Sequence, residues 1–168
     1  MSCCEKPLVV VLMGSKSDWE TMQRTHKVLS DFGVPHECRV LSAHRTPDMV
    51  AEFVRDTDAK GAEVFIAGAG LAAALPGAVA ALTTKPVLGV PIQAGALNGH
   101  DALLAMAQMP PGIPVGALAI GTPGATNAGL MAVAILANKH EEYAAKLKDY
   151  RKEQADKIAA TELPCECQ

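Results

Sequence analysis

Regular alternation of apolar runs with amphipathic stretches predicts an α/β fold, with a parallel sheet and helices on both of its faces. The run Leu8-Val9-Val10-Val11-Leu12-Met13 has no polar position, as in a strand covered on both sides. A helical period follows, with Met22, Thr25, Val28, Leu29 and Phe32 on one face. The same strand-then-helix unit recurs down the chain, which calls for right-handed crossovers between parallel strands.

Taken in order, a turn at Gly14–Asp18 leads into a helix over Trp19–Phe32, with Ser17 or Asp18 as its N-cap and Gly33 as its stop. Pro35–Leu41 reads as the second strand. Thr46-Pro47 opens a helix running to about Lys60, since proline suits a first turn. Ala62–Ala67, Pro86–Val90 and Val115–Ile120 read as the remaining strands. Ala72–Leu82, Asn98–Met109 and Ala125–Leu136 read as the intervening helices. The last of these is apolar nearly all round, so it is expected to be buried. Beyond it, Lys139–Ala160 forms a charged amphipathic C-terminal helix anchored by Tyr143, Leu147, Tyr150 and Ile158. The expectation is one catalytic domain over 1–168, with a core over 7–137, a helix over 139–160 and a tail over 161–168.

Composition narrows the function classes. The 168 residues are 49% apolar and 20% charged, as in an ordinary folded chain. A net charge of −3 gives no basic footprint for nucleic acid. No apolar run reaches bilayer length, and Met1–Pro7 lacks the basic start and apolar middle of a signal peptide, so a cytoplasmic location is expected. Of the five cysteines, Cys3, Cys4, Cys165 and Cys167 sit at the ends, and their spacing does not match zinc ligand pairs. They are expected to be reduced tail thiols, and no metal site is expected.

Ligands of such sheets bind at the carboxyl ends of the strands. There, Gly14-Ser15-Lys16-Ser17-Asp18 offers backbone N–H groups at a helix start, hydroxyls at Ser15 and Ser17, and a carboxylate suited to ribose hydroxyls. It is neither a P-loop nor a dinucleotide fingerprint. Ser42-Ala43-His44-Arg45-Thr46-Pro47 places a phosphate-matching guanidinium beside an imidazole able to move protons near neutral pH. Gly68-Ala69-Gly70-Leu71-Ala72-Ala73-Ala74-Leu75-Pro76-Gly77 has almost no side-chain chemistry, but lets backbone approach a small carboxylate or CO2. It serves equally well for tight helix packing. His26 and His140 read as surface helix residues, His36 sits beside a strand start, and His100 lies near a candidate loop.

These motifs together, with Gly112-Ile113-Pro114-Val115-Gly116, resemble the PurE family of aminoimidazole ribonucleotide carboxylases and mutases over about Val9 to Leu136. The resemblance implies a flavodoxin-like three-layer α/β/α sandwich, assembled as a homo-octamer. It implies that Ser15 and Asp18 bind the ribonucleotide, that Arg45 holds its phosphate and that His44 is the catalytic acid and base. Gly14, Ser17, Ser42 and Gly70 complete the implied substrate-binding set. No metal or organic cofactor is implied.

The family has a mutase branch, which takes a carbamate made by a separate ATP-dependent synthetase, and a branch that takes CO2 directly. Arg45, Gly89-Val90-Pro91-Ile92-Gln93, Ala96-Leu97-Asn98-Gly99 and Gln108-Met109-Pro110 resemble the mutases. Ala74, where mutases carry histidine, and Thr122-Pro123, where they commonly carry Lys-Ala, depart from them. Rival readings are the direct carboxylase, a degenerate scaffold, and a non-catalytic module of the same fold. The acidic cluster of a receiver is absent at Gly14-Ser15 and Ala67-Gly68, and 4% aromatic residues are few for a flavin site.

Overall fold

The computed structural model describes residues 6–163, so Cys3, Cys4, Cys165, Cys167 and the end of the expected tail lie outside the described residues. The unbroken apolar runs become β1 (Val9–Met13), β3 (Val64–Ala69) and β4 (Val87–Pro91), every residue of which is buried. β2 (His36–Val40) and β5 (Gly116–Ala117) flank them in one five-stranded parallel sheet of order β2-β1-β3-β4-β5. β2 is less buried than the central strands, as an edge strand must be.

Helices cover both faces. One core layer places Met22 and Leu29 of α1 (Trp19–Asp31), Phe32 at its C-cap, and Ala128, Ala132 and Leu136 of α5 (Thr122–Leu136) against Val9, Val11, Val64 and Ile66. The other places Val50 and Val54 of α2 (Pro47–Ala59), Val79 of α3 (Leu75–Ala80) and Met106 of α4 (His100–Ala107) against Val10, Leu12 and Phe65. α1 and α5 approach closely because Gly129 offers no Cβ. One built there would lie 2.9 Å from Val28. The buried Thr25 hydroxyl bonds across the pair to the Ala125 carbonyl at 2.7 Å. The amphipathic α6 (Glu141–Ala159) buries Tyr143 and rests Leu147 and Tyr150 on the first core layer.

Several boundaries differ from the sequence reading, each for a local reason. The helix expected from Ala72 starts at Leu75, where Pro76 sets the first turn, and Leu71 before it has a positive φ of 54°. The helix expected from Ala125 starts at Thr122, with Pro123 in its first turn. α4 begins at His100 because Asn98 and Gly99 are left-handed. The fifth strand, expected over 115–120, has a regular ladder only at Gly116–Ala117. Its neighbour β4 ends in Pro91, which has no N–H to give on that side. The chain keeps single bonds there instead, Leu118 N–H to Gly89 and Gly121 N–H to Pro91.

Candidate active site

The β1, β2 and β3 ends each deliver one loop to a common cavity of about 500 Å³. Its lining contains Gly14, Ser15, Ser17 and Asp18 from the first loop, Ser42, His44 and Arg45 from the second, and Gly70 with Leu71–Leu75 from the third. Every residue assigned to the site from sequence therefore lines one cavity, of a size suited to a small organic ligand.

The first loop is held by its own side chains. Ser15 caps the short 3₁₀ turn Lys16–Asp18, accepting from Ser17 N–H at 3.3 Å, while Asp18 Oδ2 accepts from Ser15 N–H at 2.9 Å. This reciprocal capping box replaces the expected cap of α1. Asp18 occupies the N-cap position of α1, but its carboxylate makes no cap bond there. The Ser17 hydroxyl donates to Ser15 Oγ at 2.9 Å. Burial pushes the Asp18 carboxyl above its usual range, against the N–H groups of Ser15 and Gly14 and the charge of Arg45. A carboxylate in that position is poorly hydrated and ready to accept from ligand hydroxyls.

The second loop is tied to the first. Arg45 Nη2 donates to the Gly14 carbonyl at 2.7 Å, and its Nε to Ser42 Oγ at 3.4 Å. Ser42 and Thr46 close the loop on themselves, with Ser42 N–H donating to Thr46 Oγ1 at 3.0 Å and Thr46 N–H to the Ser42 carbonyl at 2.9 Å. His44 and Arg45 are both exposed to the cavity side and to solvent. Arg45 thus has its orientation fixed by two bonds while further guanidinium N–H groups stay free for an anion.

The third loop contributes shape. A Cβ on Gly70 would meet the Ile92 carbonyl at 3.0 Å and Ala94 Cβ at 3.1 Å, so the strand ends close up only because that residue is glycine. Ala94, also in the lining, was not singled out from sequence; alanine carries no chemical signal by which it could be found. His100 does not line the cavity, and its Nδ1 lies 2.9 Å from the Leu97 carbonyl. His140 is not a surface helix residue: it precedes α6, half-buried, with Nε2 3.2 Å from Glu63 Oε1. His26 is exposed on α1 but bonded to His36 at 2.8 Å.

One half of the lining is polar, with an imidazole and a tethered guanidinium, and the other is apolar, made of Gly70, alanines and two leucines. That arrangement can orient a phosphorylated sugar and enclose a small group beside an imidazole. The family model described as AIR carboxylase matches residues 8–157. The chain belongs to the AIR carboxylase family.

Members of this family resemble it along most of its length. It is 50% identical over 151 residues to the N5-carboxyaminoimidazole ribonucleotide mutase of Pseudomonas aeruginosa, covering 90% of this chain and 93% of that one. It is 52% identical over 159 residues to the bifunctional purine synthesis protein purC/E of Dictyostelium discoideum, spanning 95% of this chain but only 16% of that longer protein. The crystal structure of Treponema denticola PurE superposes with a TM-score of 0.83 at 29% identity, over 91% of this chain and 94% of that one. A flavodoxin-like α/β/α sandwich is the fold these likenesses share with the five-stranded parallel sheet described above.

Proposed function

We propose that this chain is a mutase of purine biosynthesis, interconverting N5-carboxyaminoimidazole ribonucleotide and 4-carboxy-5-aminoimidazole ribonucleotide. The observation that carries this reading is the meeting of His44 and Arg45 with Ser15, Asp18 and the Gly70–Leu75 loop around one cavity. The identity of about half the residues with relatives named as mutases supports it.

In this reading Arg45 takes the phosphate and Asp18, with Ser15, takes the ribose hydroxyls. The nitrogen–carboxyl bond of the carbamate breaks, CO2 leaves and the nitrogen gains a proton. Carbon 4 of the freed aminoimidazole then attacks the same CO2 and loses its own proton to His44. One imidazole gives one proton and takes one back, so the cycle closes without net change. Gly70 and Ala72–Ala74, with Leu71 beside them, wall the space in which CO2 is held, and exclusion of water there during the reaction would keep it from escaping.

Ala74 lines the cavity and favours a second reading, direct carboxylation of aminoimidazole ribonucleotide by CO2. A paired assay separates them. Fast conversion of the carbamate ribonucleotide without added bicarbonate, and only there, is the expected result and places an ATP-dependent synthetase upstream. Efficient conversion of aminoimidazole ribonucleotide at modest bicarbonate would overturn it in favour of the carboxylase. Silence in both arms would leave a degenerate scaffold.

The same reading places the protein in the cytoplasm as a homo-octamer. Among the described residues no helix is long and apolar enough to cross a membrane. Leu97 is 60% exposed, Leu71 54% and Met131 47%, surface that subunit contacts would cover. Light scattering is expected to give a particle several times the chain mass, and a monomer would remove the assembly from the proposal.

A further inference from the structure

Outside the cavity lining, three metal-binding side chains converge where α1 meets β2. His36 and Cys38 are two residues apart on β2 and so present to the same face of the sheet. Cys38 packs against the core layer that contains Met22 and Leu29 of α1, which sets that face towards α1. His26 of α1 reaches the same point, with its Nδ1 2.8 Å from His36 Nε2. One ligand atom from each of His26, His36 and Cys38 lies within 4.8 Å of the other two.

We propose that His26, His36 and Cys38 form a three-ligand site for a borderline-soft divalent ion of the zinc class. Two nitrogens and one sulfur suit zinc and its neighbours and reject magnesium and calcium, which take oxygen. Bond lengths of about 2.0–2.3 Å to a tetrahedral ion put its ligand atoms on the order of 3.3–3.6 Å apart. The two rings therefore need to separate slightly, and the sulfur, within 4.8 Å of both, to close by no more than about an ångström. His26 is exposed and able to make that adjustment.

The second layer of the site is already in place. His36 Nδ1 lies 2.7 Å from the Val34 carbonyl, so it carries the proton and donates it there. That fixes the tautomer and leaves the Nε2 lone pair directed at the cluster, as in most metal-bound histidines. The Trp19 ring covers His26 at 5.6 Å between centroids. Binding breaks the hydrogen bond in which His26 Nδ1–H donates to His36 Nε2, and the exposed His26 ring exchanges that proton through solvent to its Nε2 so that Nδ1 can ligate. Two metal–nitrogen bonds and one metal–sulfur bond form, and the thiol proton is released to solvent. Burial holds that thiol up at about 11, so the ion has to displace a firmly held proton. With His26 at the surface, the fourth position is left to water, which makes the ion exchangeable.

The site lies between the two elements that carry the polar half of the cavity. α1 follows directly on Asp18, and β2 runs into the Ser42–Arg45 loop. A bound ion would pin these elements together and raise the melting temperature.

The test is a cobalt titration of the full chain with Cys3, Cys4, Cys165 and Cys167 all changed to serine, read by thiolate-to-cobalt absorption and followed by displacement with zinc. One equivalent per chain with a thiolate band is expected. The band disappears in Cys38→Ser, and His26→Ala weakens binding by about 100-fold or more, beyond what loss of an outer partner costs. His26→Ala sits at an exposed helix position and gives up its hydrogen bond to His36, so the metal-free melting temperature is expected to fall by only about 2–4 °C. Absence of a thiolate band, or equal binding by His26→Ala, would overturn the site and leave a hydrogen-bonded histidine pair beside a buried thiol.

Discussion

The two glycine-containing loops at the ends of β1 and β3 line the same cavity by opposite means. Gly14–Asp18 is polar and is held in shape by side-chain hydrogen bonds, through the Ser15–Asp18 capping box, the Ser17–Ser15 bond and the tether that Arg45 of the second loop makes to Gly14. Gly70–Ala74 has no polar side chain, and its shape comes from backbone contact with Ile92 and from packing. The first loop can name a ligand's atoms, whereas the second can only limit its volume. Substitutions in the polar loops should therefore act on affinity and turnover, and those in the apolar loop on stability and fit.

The sharpest separation comes from His44→Asn. Its side chain is exposed, so the variant is expected to melt like the parent and bind ribonucleotide while losing on the order of 10²–10⁴-fold in turnover. Near-normal rates would remove His44 from the chemistry. Arg45→Ala is expected to weaken ribonucleotide binding by about 2–3 kcal/mol, the value of a charge-assisted contact. Titration calorimetry reads this directly, and unchanged affinity would place the phosphate elsewhere.

Gly70→Ala tests the apolar loop. Its Cβ would press on the Ile92 carbonyl, so a loss of about 1–3 kcal/mol in unfolding free energy is expected. Gly14→Ala is its control. The nearest atom to a Cβ there is Asp18 Oδ2 at 3.7 Å and Gly14 does not need a positive φ, so denaturant unfolding should shift by less than about 0.5 kcal/mol. Equal losses at both glycines would erase the distinction between the loops.

Asp18→Asn is expected to have a small effect on stability, and its sign is informative. Burial raises the Asp18 pKa on folding, so folding favours the protonated acid. The stability Asp18 contributes is then fully present below its unfolded value of 3.8 and lost as pH rises through the folded value. Asparagine still accepts from Ser15 N–H and carries no charge to desolvate. The variant should melt at or slightly above wild type at neutral pH, with the difference closing in acid, while ribonucleotide affinity falls. A lower melting temperature at neutral pH would mean that the carboxylate charge, not its geometry, holds the loop.

Much of the architecture was legible because each element repeats one local signal. Val9–Met13 and Val64–Ala69 are apolar without interruption since both faces of those strands are covered. The candidate site was legible for a related reason: Ser15, Asp18, His44 and Arg45 combine polar chemistry with positions at strand ends, where this fold class collects its ligands. Boundaries were less legible. The short fifth strand depends on the missing N–H of Pro91 in its neighbour, and the cap at Ser15 depends on a turn one step before the helix.

By itself, then, the sequence determined the order of strands and helices, the apolar faces, and which loops carry groups chemically able to move a proton or meet an anion. These follow from periodicity and residue chemistry, which act over a few neighbours. Only the tertiary structure decided that Gly70 must close against Ile92, that Arg45 reaches back to Gly14, and that His26 meets His36 and Cys38. Those contacts join residues whose separation along the chain says nothing of their separation in space, until a crossover connection and a packed core bring them together.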